Sequence, residues 1–145
     1  MSDLICDTSS LQYLHQLELL HVLSILSDQV LIPPAVVKEM AEGIALGVDL
    51  PDVSATDWIT VRRPSGESAL PLLINLGPGE AEVLMLALEQ REAVAVLDDG
   101  LAREMAETLN LNFTGTLGLL LDAKKAGLIE EVCPLLDRLQ ALRFR

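Results

Sequence analysis

Two adjacent carboxylates, Asp98 and Asp99, directly follow the most strand-like stretch of the chain. Residues 93–97 are small or branched apolar residues, a pattern that predicts a strand buried on both faces of a parallel sheet. A glycine and a helical pattern over residues 101–109 come next. Because ligands bind beyond the carboxyl ends of the strands in open α/β sheets, the aspartate pair indicates either a helix cap or part of a metal site.

Three other acidic residues occupy comparable positions. Asp7 follows a short apolar run at residues 4–6. Glu39 lies on the border of an apolar stripe of a helix predicted over residues 35–46, whereas Glu42 points away from that stripe. The stripe consists of Val36, Val37, Met40, Ala41 and Ile44. Glu80 lies in the first turn of a nearly all-apolar helix, which we expect to be buried.

Each of these acids, taken alone, has an ordinary structural explanation. Asp7 and the aspartate pair could cap turns or helices, and Glu80 could be stabilised by a helix dipole. Glu39 could be a solvated charge on a helix face. Their joint placement next to strand ends and buried helices favours a shared site.

Strands and helices alternate along the chain. Apolar runs predict strands at residues 4–6, 30–32, 58–61, 93–97 and 110–114. We expect the strand at 58–61 to lie at an edge of the sheet. Helical patterns cover residues 11–26 with a break at 17–20 and a cap at Ser9 or Ser10, and also residues 35–46, 70–76, 101–109, 117–126 and 129–142. We therefore predict one domain over residues 1–145, an α/β fold built as a three-layer α/β/α sandwich around a parallel sheet of about four to five strands.

The overall charge limits the classes of function. Ten basic residues against 22 acidic ones give a formal net charge of −12, which is unusual for a protein that binds nucleic acid through a basic patch. The adjacent basic pairs are Arg62–Arg63 and Lys124–Lys125, and RNA binding is favoured if the fold brings them near the acids.

The cysteines and the ends of the chain carry less information. Cys6 and Cys133 form neither a disulfide framework nor a zinc pattern, and Cys6 lies in an apolar run that predicts burial. The sequence contains no secretory leader pattern and no apolar stretch long enough to span a bilayer. We therefore expect a cytoplasmic protein that has no membrane partner.

If the acids converge, their mutual repulsion must be offset by cations. Magnesium is held by one or two carboxylates together with waters and substrate phosphates. One or two such ions can activate a water and stabilise charge on a phosphate. A phosphodiester is the natural substrate of this chemistry, and the metal would supply the positive charge that the chain lacks.

The order of these features resembles the PIN domain, a family of small metal-dependent ribonucleases that includes bacterial toxins. The pattern runs through Asp-Thr-Ser after the first strand and Pro-x-x-Val-x-x-Glu after the second. Three strings match a prokaryotic branch of the family: LGPGEAE at residues 76–82, LDDGLAR at 97–103 and GTLGLLLDAK at 115–124. The resemblance covers nearly the whole chain.

The resemblance implies roles for individual residues. Asp7 matches the first metal-binding aspartate, Glu39 the helix glutamate, and Asp99 the aspartate of a Thr-Asn-Asp motif. Asp98 stands where that motif has asparagine, so we predict Asp99 as the ligand and Asp98 as a supporting or alternative ligand. Glu80 replaces an aspartate that heads the corresponding helix in many members, and we expect its longer side chain to shift the metal.

Other polar residues are candidates for contacts with the substrate. Thr8 or Ser9 could bind a phosphate or a metal-bound water, and Thr116 and Asp122 are weaker candidates. Arg103 lies one helical turn after Asp99, where it would neutralise the acids, meet a phosphate or form an ordinary salt bridge on its helix.

The first hypothesis is a Mg²⁺- or Mn²⁺-dependent ribonuclease that leaves 5′-phosphates. The resemblance implies a toxin held inactive by a small antitoxin, and a homodimer whose surface the leucine-rich segment at residues 11–26 could supply. The second hypothesis is a PIN-like interaction module without catalysis, which the net charge and the Glu80 exchange favour. A receiver domain is a third, weaker reading, because the paired acids after the first strand and the late lysine that it needs are absent.

Overall fold

Five strands form one parallel sheet in the computed structural model, which describes residues 1–66 and 75–142. The strands are β1 (Leu4–Cys6), β2 (Val30–Ile32), β3 (Ile59–Val61), β4 (Val94–Val96) and β5 (Asn112–Thr114). Their order across the sheet is β3-β2-β1-β4-β5, and all neighbouring pairs are parallel. The prediction of a parallel sheet is confirmed, and the strand predicted at residues 58–61 lies at an edge.

Helices connect the strands and cover the sheet. They are α1 (Thr8–Gln16), α2 (Val22–Leu26), α3 (Pro34–Ala45), α4 (Pro78–Glu89), α5 (Gly100–Thr108), α6 (Thr116–Lys125) and α7 (Cys133–Ala141). Contacts join α1 to α3 and α6, and α2 to α6, whereas α4 contacts α5. Right-handed crossovers between parallel strands place helices on both faces of the sheet, which is the predicted α/β/α sandwich. The helix predicted over residues 70–76 falls largely outside the described residues.

The core follows from the apolar strands. All residues of β1 and β2 are buried, as are Ala95 and Val96 of β4. Such short strands, about 10 Å long at about 3.3 Å per residue, are stabilised by apolar packing on both faces. The buried environment that was predicted for Cys6 is confirmed. Among the described residues, no helix is both long enough and apolar enough to cross a membrane.

The start of α1 differs from the prediction. Asp7, rather than Ser9 or Ser10, is the N-cap, and its side chain accepts a hydrogen bond from the Ser10 amide. The predicted break after this helix is confirmed, since α1 ends at Gln16 and Glu18 has a positive φ of 62°. A backbone in this left-handed region cannot continue a right-handed helix.

The apolar stripe predicted on α3 is wrong in its second half. Val36 and Met40 are buried, but Ala41 and Ile44 are exposed. A helix of 12 residues is about 18 Å long, whereas the strands that it covers are much shorter. The second half of α3 therefore extends past the strands, and Ala41 and Ile44 stay exposed in the part of the chain that the structure describes.

The leucines that were expected to form a dimer surface lie in the core instead. Leu11, Leu14, Leu17 and Leu23 are at most 1% exposed. Helical spacing marks an apolar face but does not say what covers it. These four leucines belong to the core of this chain and are therefore not available to a partner, and of this segment Ile25 is the large apolar side chain that is exposed.

Candidate acidic site at the carboxyl edge of the sheet

The topology brings the predicted acids to one edge of the molecule. In a parallel sheet every strand ends at the same edge, and β1 and β4 are direct neighbours with Cys6 opposite Val96. Asp7 follows β1 and Asp98 follows β4 within two residues, so both side chains lie where the two strands end. Glu39 and Glu80 come from α3 and α4, which contact each other.

Asp7 and Asp98 are joined by a serine hydroxyl. The Oγ atom of Ser9 lies 3.2 Å from Oδ2 of Asp7 and 3.4 Å from Oδ2 of Asp98. Asp7 is 2% exposed, and its Oδ1 accepts the Ser10 amide at 3.0 Å. One hydroxyl hydrogen can serve only one of the two carboxylates at a time, so Ser9 bridges the pair without neutralising it.

Asp98 is held from the other side by α6. Its Oδ1 accepts the backbone amide of Thr116 at 2.8 Å, and its Oδ2 accepts the Thr116 hydroxyl at 2.7 Å. Thr116 is fully buried. Its role as a contact for the substrate, predicted from the sequence, stays untested, but the structure gives its hydroxyl to Asp98.

Glu39 is directed into the site by two donors. The Thr8 hydroxyl donates to its Oε1 at 2.6 Å, and the Gly79 amide donates to its Oε2 at 3.2 Å. Glu42, by contrast, is exposed. The distinction that the helical periodicity made between the two glutamates therefore agrees with the structure. Thr8 thus contacts a carboxylate of the cluster.

Glu80 and Asp99 both lie at helix N-termini. Glu80 supplies one half of a capping box, in which its Oε2 accepts the Gly77 amide at 3.1 Å, while Gly77 has no side chain to supply the other half. Asp99 is exposed and caps α5, accepting the Ala102 amide at 3.0 Å. Asp98 is therefore the aspartate joined to Asp7, whereas Asp99 faces Glu80.

The electrostatics show that the carboxylates crowd one another. Burial raises the pKa of Asp7 from 3.8 to about 6, with a further upward contribution from Asp98, against hydrogen bonds from Ser10 and Ser9 that lower it. Burial also raises the pKa of Glu80, and the charges of Asp99 and Glu39 add to this effect although the Gly77 amide opposes it. Such perturbed carboxyls in a shared location are typical of functional sites.

Cationic side chains do not neutralise these acids. Within residues 1–66 and 75–142, the ion pairs are the N-terminus with Asp28 and His15 with Asp49. The Arg62 side chain donates to Gln90 at the far end of α4. Lys124 and Lys125 end α6, whose first residue is Thr116, so they lie about 12 Å further along the helix axis. The Arg62 guanidinium and the Lys124–Lys125 pair are thus directed away from the acids, whereas Arg63 lines a cavity together with Pro78 and Ala81 at the start of α4.

Asp122 remains separate from this group. It is exposed on α6, six residues after Thr116, and the site's hydrogen bonds do not include it. The sequence analysis missed the backbone donors that hold the carboxylates, namely the amides of Ser10, Gly77, Gly79 and Ala102. The glycines in the LGPGEAE string were the available signal, since a glycine in a helix allows a side chain to approach the backbone closely.

The oxygen atoms of the acidic site are suitable ligands for a hard divalent cation. The cluster offers only carboxylate and hydroxyl oxygens, and magnesium requires one or two carboxylates when waters and substrate phosphates complete its shell. In the part of the chain that the structure describes, no three His, Cys, Asp or Glu side chains converge on a single metal position. The Asp7–Asp98 pair therefore fits a cation that is held by few protein ligands.

Comparisons with known proteins agree with the fold described above. A family model described as PIN domain matches residues 3–145. Among solved structures, the chain is similar to a PilT N-terminus domain protein from the hyperthermophilic archaeon Sulfolobus solfataricus P2. That likeness has a TM-score of 0.61 and 24% identity, over 89% of this chain and 95% of the other. It supports the fold. A comparison with curated proteins found no match.

Proposed function

Because this chain belongs to the PIN-domain family, a nuclease-type fold, we propose that it is a metal-dependent endoribonuclease that hydrolyses RNA phosphodiester bonds. One observation carries the proposal. Asp7 is a buried carboxylate, bridged through Ser9 to a second carboxylate, and among the described residues neither has a cationic partner. Keeping two unneutralised acids together is unfavourable for folding, and a divalent cation relieves that cost.

Asp7 and Asp98 are the residues that we propose to hold Mg²⁺ or Mn²⁺, with Asp99, Glu80 and Glu39 completing the site. When bound, such a cation lowers the pKa of a coordinated water and offsets charge on the phosphate. Asp98 thereby takes the place that the family motif gives to Asp99. The reason is that Asp98 is joined to Asp7, whereas Asp99 caps a helix and lies nearer to Glu80.

The polar residues around the acids keep them in place. Thr116 holds Asp98 through two donors, and Ser9 holds it towards Asp7. Thr8 and the Gly79 amide hold Glu39. Preorganised carboxylates of this kind need not rearrange when charge develops on the phosphate. Ser9 and Thr8 are partly exposed, so both can also contact substrate, as the sequence predicted.

The biological setting that we propose follows from the family resemblance. The chain would act in the cytoplasm as the toxin of a toxin–antitoxin pair, bound by a small cognate antitoxin, and as a homodimer. Because Leu11, Leu14, Leu17 and Leu23 are buried, we expect other residues to form the dimer surface.

A second candidate function is a PIN-like interaction module without catalysis. The placement of the basic residues favours it, because Arg62 and the Lys124–Lys125 pair are directed away from the acids. With a net charge of −12, the chain offers little general attraction for RNA.

Cleavage of a mixed RNA pool in Mg²⁺ or Mn²⁺ tests the proposal. We expect the parent to produce fragments that carry 5′-phosphates, and Asp7→Asn and Asp98→Asn to lower the rate by at least 100-fold. Asp137→Asn is the matched control, because Asp137 is exposed on α7. The neighbouring Arg138 contacts Gln16 at the end of α1 remote from Asp7.

Asp99→Asn separates the two assignments of the ligand. If Asp98 is the principal ligand, Asp99→Asn retains more activity than Asp98→Asn, because asparagine can still cap α5. Absence of cleavage by folded parent protein freed of antitoxin would favour the interaction module. Cleavage that persists in both Asp7→Asn and Asp98→Asn would show that the site is elsewhere or that a contaminant is responsible.

A further inference from the structure

Arg103 is a cation without a carboxylate partner at the β5 side of the acidic site. Its side chain is exposed, and its guanidinium lies 5.4 Å from the centroid of the Phe113 ring. Within the described residues it forms no ion pair, so the ordinary salt bridge on its helix that the sequence allowed is absent. Phe113 limits the positions of the guanidinium by a cation–π contact.

The position of Gly115 places this guanidinium beside the acids. A Cβ atom at Gly115 would lie 2.8 Å from Oδ1 of Asp98, 3.1 Å from the carbonyl oxygen of Leu97 and 3.2 Å from Nη1 of Arg103. The carboxylate and the guanidinium therefore both lie against the backbone of residue 115, which they can approach this closely because that residue has no side chain. The Arg103 guanidinium is close enough to contact a group bound at Asp98, but it does not form an ion pair with the Asp98 carboxylate among the described residues.

We propose that Arg103 binds a phosphate of the RNA backbone next to the acidic site, with Phe113 holding the exposed guanidinium in place and Gly115 allowing it to lie close to Asp98. This inference rests on the proposed function for the presence of RNA at this edge. Arginine presents a planar set of donors that matches two phosphate oxygens. In a chain of net charge −12, a fixed and unpaired cation supplies attraction at the one place where the backbone must approach carboxylates.

Binding of a single-stranded RNA, followed by fluorescence anisotropy over a range of NaCl concentrations, tests the proposal. The measurements use an Asp7→Asn background, in which we expect RNA cleavage to be at least 100-fold slower. Adding Arg103→Gln should weaken binding about tenfold and flatten the slope of log K against log salt by about 0.7, the value for one phosphate contact on a single strand. Arg103→Lys should fall between, because it keeps the charge but loses the planar donors.

The control substitution is Arg91→Gln, which removes the same charge at the opposite edge of the sheet. Arg91 is exposed and donates to the Leu109 carbonyl, and we expect its substitution to leave affinity and slope within twofold of the background. Phe113→Leu is a second test on the same contact. It should weaken binding two- to fivefold, because the guanidinium loses the ring that orients it.

The outcomes separate this inference from the nuclease proposal. If the parent cleaves RNA but Arg103→Gln binds as tightly as Arg91→Gln and with the same slope, the inference is overturned and the nuclease stands. If RNA binds through Arg103 but the parent does not cleave it, the inference is supported and the nuclease proposal fails.

Discussion

Replacing Asp7 by asparagine should make the metal-free protein more stable at neutral pH. The side chain is 2% exposed, and burial together with the Asp98 charge raises its pKa from 3.8 to about 6. The folded state therefore binds a proton at Asp7 more tightly than the unfolded state does. Ionised Asp7 consequently opposes folding, which is the reverse of the usual effect of a paired aspartate.

The size of the effect follows from the two pKa values. Each factor of ten in proton affinity corresponds to about 1.4 kcal/mol. Above pH 6 the ionised carboxylate therefore lowers the free energy of unfolding by roughly 3 kcal/mol, and this cost is about half as large at pH 5 and disappears below pH 3.8. Asparagine is neutral throughout, and it caps helices as well as aspartate does, so the hydrogen bond from Ser10 can be kept.

Urea unfolding in EDTA at pH 5, 6, 7 and 8 measures the difference. The free energy of unfolding of Asp7→Asn should exceed that of the parent at every pH, and the excess at pH 8 should be about twice that at pH 5. The series stays above the sequence pI of about 4.4, where the protein carries too little charge to remain dispersed. Asp137→Asn, which alters an exposed carboxylate, should show no such trend.

Two results would refute this reasoning. An Asp7→Asn protein less stable than the parent at pH 8 would mean that the carboxylate is satisfied by its surroundings without a cation. A stability difference that stays constant from pH 5 to pH 8 would mean that Asp7 titrates normally and that burial does not perturb it.

Two further substitutions test how the other carboxylates are held. Gly79→Ala places a Cβ atom 2.9 Å from Cδ of Glu39, so we expect at least tenfold lower RNA cleavage with little change in Tm. The control is Gly100→Ala, whose Cβ atom meets nothing within 4 Å and which should retain activity. Thr116→Val removes the hydroxyl that donates to Asp98 and should lower kcat about tenfold without raising KM. Thr116→Ser keeps a hydroxyl and should restore kcat. A change in KM alone would indicate that Thr116 contacts substrate instead.

Local sequence patterns determined most elements of the fold. The apolar run at residues 93–97, the helical stripe ahead of Glu39 and the proline at the start of α4 each depend on neighbours within a few residues. The periodicity also distinguished Glu39 from Glu42, because the two side chains point in different directions from one helix. The acids could therefore be identified as candidates from spacing alone.

Packing decided what those patterns left open. The second half of the α3 stripe is exposed, whereas Leu11, Leu14, Leu17 and Leu23 lie in the core of this chain rather than at a surface for a partner. An apolar face specifies that something must cover it. The length and position of the other elements determine what does.

The roles of Asp98 and Asp99 show the same division most clearly. The sequence placed both residues at the end of a buried strand, but adjacent side chains point in different directions, and no local pattern indicates which neighbour each one meets. Asp98 accepts hydrogen bonds from Thr116, which lies 18 residues away in sequence, whereas Asp99 accepts the Ala102 amide in the first turn of its own helix. The sequence determined that carboxylates would gather at this edge of the sheet. Only the tertiary structure, by bringing α6 against β4, decided which of them joins Asp7.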